Sequence, residues 1–205
     1  MKTRKLFIFF LLAFFTMGAD VAEVRSLDNI IAGDHRSEQN KSRDDQRHPK
    51  QTLEFFGIQP NMTVVEVWPS SGWYTEILAP YLNKDGQYIS ASFDFKSDSA
   101  FIQRVKKTFL GKLEKRPDLY SNVKHGVLML PDNIDVADPN TVDMVLTFRN
   151  IHNWMARGQE RIAIKAFYDM LKPGGILGVV EHRGDESVPQ AVSYTHLTLP
   201  TIYSV

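Results

Sequence analysis

The run Arg149-Asn150-Ile151-His152-Asn153-Trp154 sets one imidazole between two carboxamides and close to a guanidinium. A histidine so placed can take a proton from a hydroxyl or an amine, because the side chain ordinarily titrates near neutral pH. It can equally well hydrogen-bond its own loop. Arg149 can bind a carboxylate or phosphate, or pair with Glu181 or Glu66. Glu181 and His182 are adjacent, so on a strand they point to opposite faces, and at most one lines a cleft unless the strand has ended. Upstream, Glu66-Val67-Trp68-Pro69-Ser70-Ser71-Gly72 reads as a strand end and a tight turn into a helix. Backbone N–H groups at such a turn can meet a polar ligand. Ser92 and Asp94 are polar groups at the end of another strand. Metal chemistry has little support, since no H-x-x-x-H or H-E-x-x-H pair of ligands occurs.

Elements of regular spacing must position these groups. Residues 63–67 form a β-branched run that suits a buried strand. Tyr74, Ile77, Leu78, Tyr81 and Leu82 then recur as the stripe of a helix, with Pro80 expected to distort its last turn. Residues 87–93 predict a second strand. Ser97 or Asp98 can cap a helix with Phe101, Val105, Phe109 and Leu113 on one side. Residues 123–130, interrupted by Gly126, predict a weak third strand and residues 142–148 a fourth. Residues 161–171 predict a helix with Ile164, Phe167, Met170 and Leu171 inward, and residues 176–180 a fifth strand. Ahead of all these, Pro49 opens a short helix with Leu53 and Phe56 inward and Gly57 at its end. Alternating strands and helices imply an α/β fold with a doubly wound, mostly parallel sheet. In such a sheet ligands bind beyond the carboxyl ends of the strands, where the chemistry-bearing residues gather.

Composition narrows the class. The chain has 205 residues, 24 basic and 24 acidic, and no cysteine. Balanced charge argues against nucleic acid as a partner. The missing cysteine excludes disulfides, thiolate metal sites and a thiol nucleophile. Residues 33–51 hold no apolar side chain apart from Pro49 and read as a solvated helix or loop. Trp73, Tyr74, Phe55 and Phe56 suit either a core or a stacking surface.

The two ends stand apart from the domain, which we place at residues 20–190. Lys2, Arg4 and Lys5 precede an apolar stretch from Leu6 to Phe15 and small residues up to Ala19, the pattern of a signal peptide over residues 1–19. It implies an exported, periplasmic protein without stable membrane association once the signal is removed. Residues 191–205 are expected to be a non-native tail. VSYTHLTLPTIYSV, the fourteen residues from Val192, has no charge and looks like translated adaptor sequence. The natural domain would then continue past about residue 190. The other reading is a genuine terminal strand.

The segments VVEVWPSSGWYTEILAPYL, VDMVLTFRNIHNW, LKPGG and GVVEHR together resemble the class I S-adenosylmethionine-dependent methyltransferases, and among them a family of exported bacterial proteins. The resemblance covers about residues 36–183. It implies a Rossmann-like sandwich with strand order 3-2-1-4-5, the last two strands of the full fold being absent, and S-adenosyl-L-methionine as cofactor. The cofactor contacts are expected at Glu66, Trp68, Ser70, Gly72, Ser92, Asp94 and Arg149. Trp68 and Ser70 stand where the family has its first two glycines. If Trp68 replaces the glycine function, its indole lies beside the pocket floor and leaves the Gly72 amide free. If it fills the space between the first and fourth strands, the scaffold is degenerate. His152, Asn150 and Glu181 fall at the acceptor side as catalytic residues, and Arg47 and His48 lie in a segment able to close over the cofactor. The expected activity is methyl transfer to a small acceptor. The alternative is a non-catalytic, exported ligand-binding module.

Overall fold

A computed structural model describes residues 26–182 and the pair Tyr203–Ser204. Their elements are α1 (Leu27–Ala32), α2 (Glu38–Lys41), α3 (Asp44–Arg47), α4 (Pro49–Phe55), β1 (Thr63–Val67), α5 (Thr75–Leu82), β2 (Gln87–Ser92), α6 (Ala100–Leu113) and α7 (Pro117–Tyr120). Then come β3 (Lys124–Met129), β4 (Asn133–Asp135), β5 (Val142–Phe148), α8 (Ile151–Met155), α9 (Glu160–Met170), β6 (Leu171–Val180) and β7 (Tyr203–Ser204). The sheet runs β4-β3-β2-β1-β5-β6-β7. Its five central strands are parallel and keep the expected order, while β4 and β7 are antiparallel additions at the two edges. β7 pairs with Ile176 and Leu177 of β6, so that edge is covered over two residues. The readings of residues 1–19 and of most of 191–205 lie outside the described residues.

Two apolar layers follow from the alternation of the strands. Val64, Met144 and Leu146 face α1, α4 and α5. Val65, Val67, Ile89, Ala91 and Val145 face the other way, against Trp154 of α8 and Ala163, Phe167 and Met170 of α9. A smaller cluster around Ile102 and Phe109 seats α6. Pro49, Leu53 and Phe56 are buried as expected, and Gly57 takes the left-handed φ of +74° that ends α4. Trp73, Tyr74 and Phe56 belong to the core, whereas Phe55 stays exposed. Among the described residues no helix is long and apolar enough to cross a membrane.

Several expectations need correction. Ile164 is outward, because the buried set of α9 is Ala163, Phe167 and Met170, one helical step away. Phe101 is likewise exposed, and Ile102 takes its place against the sheet. α6 starts after Ser99, whose side chain makes no capping bond. β6 begins at Leu171, with an irregularity opposite Val142–Met144 that absorbs the Pro-Gly-Gly turn. Nor is the 33–51 segment wholly solvated. Arg36 is buried, bonded to both carboxylate oxygens of Asp44 and to the Ile31 carbonyl. Pro80 stays within α5 and withholds the N–H that would meet the Glu76 carbonyl. His35 Nε2 donates to that carbonyl instead, at 2.8 Å.

Gly126 marks a close approach. A Cβ there would lie 2.6 Å from Val136 Cα and 2.9 Å from its carbonyl oxygen, so a side chain would push away the segment that follows β4. Gly126→Ala is expected to lower stability by about 1–3 kcal/mol, read as a lower urea midpoint with an unchanged slope.

Candidate active site

β1 and β5 lie side by side, and both leave the sheet in the same way. The N–H of Trp68 adds one last bond to Ala91 O of β2, at 2.7 Å, and the N–H of Arg149 does the same to Val180 O of β6, also at 2.7 Å. Each residue then turns left-handed, with φ of +47° at Trp68 and +63° at Arg149. The side chains diverge from the β1/β5 boundary. Trp68 Nε1 donates to Leu128 O on β3 at 3.0 Å. Its ring stacks on Phe93, with centroids 5.5 Å apart, and meets the edge of Trp154. Arg149 goes the other way, and its Nε donates to His182 Nε2 at 2.8 Å. The expected cleft falls between the two, beyond the carboxyl ends of β1 and β5.

Trp68 therefore takes neither expected position. Its indole lies over the ends of β2 and β3, and the Gly72 amide is not free, since it donates to Pro69 O at 2.8 Å. The loop nevertheless keeps a backbone made for glycine. Trp68, Ser70 and Gly72 have φ of +47°, +55° and +77°, left-handed at each position where the resemblance places a glycine. A non-glycine residue held there costs about 1–3 kcal/mol. Ser70 is exposed, Ser92 buried, and Asp94 partly exposed. Asp94 Oδ1 accepts the Lys96 N–H at 2.9 Å.

Glu66 does not reach the cleft. It points to the α5 side of β1 and is buried beneath the helix, where its Oε2 accepts from Tyr88 Oη at 2.6 Å and Thr75 Oγ1 at 3.0 Å. Burial pushes its carboxyl up to about 7, against the opposing pull of the two hydroxyls. The same burial, with the Glu66 charge beside it, holds the Tyr88 phenol well above its ordinary range. This corrects the expected place of Glu66 among the cofactor contacts: it shares the face of Val64, two residues before it, and the register that pairs Val64 with Tyr88 brings that phenol to it.

The acceptor side is assembled around Glu181. The strand has ended at Val180, so Glu181 and His182 both turn into the cleft. Glu181 Oε1 accepts the Ile151 N–H at 2.7 Å and Oε2 lies 3.0 Å from His152 Nδ1. A carboxylate can only accept, so Nδ1 carries the proton and Nε2 of a neutral His152 presents its lone pair. His182 stands with its ring centroid 5.6 Å from that of His152. Arg149 pairs with neither Glu181 nor Glu66. Asn150 is buried and uses its amide nitrogen to hold Val67 O, at 3.1 Å, and Thr147 Oγ1, at 3.2 Å; it clamps β5 to β1 at the floor of the cleft. Of the residues expected to share one cleft, the structure brings His152 and Glu181 together, keeps Asp94 at the β2 end, two strands from His152 and three from Glu181, and removes Glu66 from it. Among the described residues no group of three His, Asp or Glu side chains could hold a metal.

The segment before α4 covers one flank. Trp73 lies between two guanidinium groups, Arg36 at 5.2 Å and Arg47 at 4.6 Å from its ring. Its Nε1 donates to Asn40 O at 3.0 Å. Next to it Tyr74 stacks on Phe148, with centroids 3.7 Å apart. Burial raises the Tyr74 phenol to about 12, opposed by a bond with Thr52 and the charge of Arg47.

No family profile matches the sequence, and neither does any curated protein. Solved structures do. The fold is similar to a SAM-dependent methyltransferase of Aquifex aeolicus, with 17% identity and TM-score 0.53, covering 83% of this chain and 77% of that one. It is also similar to the cyclase SpnF, with 18% identity and TM-score 0.53 over 84% and 62% of the two chains. A third likeness is to the YcgJ protein of Bacillus subtilis, with 13% identity and TM-score 0.52; the chain covers 53% of that protein and 69% of its own length is matched. The fold is thus a Rossmann-like α/β sandwich, similar to that of a protein named as a SAM-dependent methyltransferase.

Glu66 generates a pH dependence. Its carboxyl is protonated up to about pH 7 in the native state but only to about 4.5 when unfolded, so the native state binds more protons between those values. Stability should fall as pH rises from about 4.5 through 7, by about 3 kcal/mol in all. Glu66→Gln should flatten the urea-unfolding profile over that window, and an unchanged profile would assign the dependence elsewhere.

Proposed function

We propose that this protein transfers a methyl group from S-adenosyl-L-methionine to a small acceptor, with His152 as general base. The observation that carries the reading is the Glu181–His152 pair at the β5/β6 end of the cleft, in a sheet whose β1 loop keeps three left-handed turns. The residues present fit the cofactor. Oδ1 of Asp94 is engaged with Lys96 N–H, and its second oxygen meets no hydrogen-bond donor among the described residues, which leaves it open to ribose hydroxyls. The partly exposed Trp68 indole and Phe93 give an aromatic surface suited to a purine, and the exposed Ser70 hydroxyl lies at the loop. When bound, the cofactor supplies an electrophilic methyl on a sulfonium.

The chain's own work is proton removal and orientation. Glu181 fixes the His152 tautomer and its direction, with the Ile151 N–H holding the carboxylate in place. His152 Nε2 then takes the acceptor proton as the acceptor oxygen or nitrogen becomes nucleophilic. Asn150 keeps the ends of β1 and β5 at a fixed separation and is a positioning residue. We further propose that the protein is exported and acts on a soluble small molecule.

A second reading has its own observation. The Trp68 ring covers the β2 and β3 ends, and a non-catalytic module that binds a ligand in the remaining space needs only the β5/β6 side of the cleft. The likeness to SpnF, a protein named as a cyclase, shows that the fold alone does not decide between them.

Calorimetric titration of the purified chain with S-adenosylmethionine tests the two. Methyl transfer requires saturable binding, weakened about tenfold or more by Asp94→Ala, since a hydrogen bond to a charged group is worth about 1.5–3 kcal/mol. His152→Ala should leave that affinity within about twofold. Absence of binding heat at any temperature tried would favour the non-catalytic module.

A further inference from the structure

Away from the strand ends, the segment ahead of α4, the first turn of α5 and the stretch from α6 to α7 line a hollow of about 590 Å³. That is a size suited to a small molecule. Five cationic side chains line it, Arg36, Lys107, Lys112, Lys115 and Arg116, against two carboxylates, Asp34 and Glu76. Both carboxylates are already engaged. Glu76 is buried and accepts from Lys112 Nζ and from Asn40 Nδ2, the latter at 2.8 Å. Asp34 stands exposed at the rim, 3.7 Å from Arg116. The lining is therefore positive on balance, with Lys107 and Lys115 exposed to an incoming ligand.

The wall also holds buried donors. Tyr120 is 4% exposed, and its hydroxyl meets no hydrogen-bond partner among the described residues. Arg36 is 2% exposed and bonds Asp44 and the Ile31 carbonyl through its terminal nitrogens. Its Nε makes no hydrogen bond, and Glu76 Oε2 stands off at 3.9 Å. A buried donor without an acceptor is costly, and an acceptor oxygen in the hollow would serve the Tyr120 hydroxyl.

Gly111 keeps the space open. It lines the hollow from the last turn of α6, where glycine is a poor helix former. Its φ is not left-handed, and a Cβ there would meet no atom within 4 Å. Neither the backbone nor the packing requires glycine at this position. A side chain added there would enter the hollow.

We propose that this hollow binds a small soluble molecule through a phosphate monoester group, met by Lys107, Lys115 and Arg116 and by the Tyr120 hydroxyl. A phosphate monoester brings nearly two negative charges and three acceptor oxygens, which suits several cations and a neutral donor better than one carboxylate does. The rest of the ligand lies beside Gly111. Lys112 also donates to Gly72 O at 3.1 Å, which joins the site to the loop after β1. The lining includes neither His152 nor Glu181, so the proposal does not rest on the methyl-transfer reading.

Glycerol 3-phosphate is the probe, titrated calorimetrically into the full chain, with glycerol as the uncharged control. It should bind saturably with a Kd near millimolar or tighter, and glycerol should give no binding heat. Gly111→Leu should keep or raise the melting temperature and abolish binding. Tyr120→Phe removes an unmet hydroxyl, so it should fold as the native chain does and bind about fivefold to tenfold more weakly. Lys107→Gln/Lys115→Gln, both at exposed positions, should weaken binding tenfold or more, whereas Arg161→Gln on α9 should leave it unchanged. No saturable heat with the native chain, or native affinity in both the Gly111 and Tyr120 variants, overturns the site.

Two further arms identify the source of the anion. Succinate should bind at least tenfold more weakly than glycerol 3-phosphate, and equal affinity would overturn the assignment to phosphate. The native chain should stay in solution when phosphatidylglycerol vesicles are sedimented. Cosedimentation that the Lys107/Lys115 variant loses would give the site to a lipid headgroup and overturn the soluble ligand.

Discussion

The site depends on two neighbouring strands that leave the sheet through left-handed residues directly after their last ladder bonds. Each left-handed residue costs energy on its own, and each is held by interactions further out. At Trp68 these are the bond to Leu128 O and two aromatic neighbours, at Arg149 the bond to His182. Asn150 then fixes how far the strand ends can part. The loop path, the direction of the base and the exposure of Arg149 all follow from those two exits.

Two buried carboxylates show how environment divides labour within a small volume. Glu66 is met by hydroxyls, beneath a helix, and burial favours its neutral form. Glu181 is met by a backbone N–H and an imidazole N–H and serves as a support for His152. Their sequence contexts, V-E-V and V-E-H, are almost alike. What separates them is whether the strand continues past the acid or has just ended.

That difference also marks what the sequence could convey. β-branched runs and helical stripes were enough for the five parallel strands, because burial on both faces dictates composition there, while their order came from the family resemblance. They were enough to bring His152 and Glu181 to adjoining strand ends. Three residues of exposed β4 carry no such pattern, and the two-residue pairing of β7 is set by a partner strand rather than by its own residues. Ile164 and Phe101 show the limit of apolar spacing, since a stripe one helical step to the side fits the same residues. Side chains that act across the sheet were out of reach. Arg149 binding an imidazole instead of a carboxylate depends on contacts between residues far apart in sequence, and no spacing encodes it.

The strap ahead of α4 has a different character from the rest of the molecule. His35 replaces the donor that Pro80 lacks, Asn40 bonds Glu76 and accepts from Trp73, and two arginines enclose an indole. Apart from Pro49, residues 33–51 bring no apolar side chain to this junction. Heat capacity and denaturant sensitivity both scale with surface removed from water, chiefly apolar surface. A strap attached by polar bonds adds little to either. Global unfolding would therefore report little of its attachment, which amide exchange along the strap would read directly.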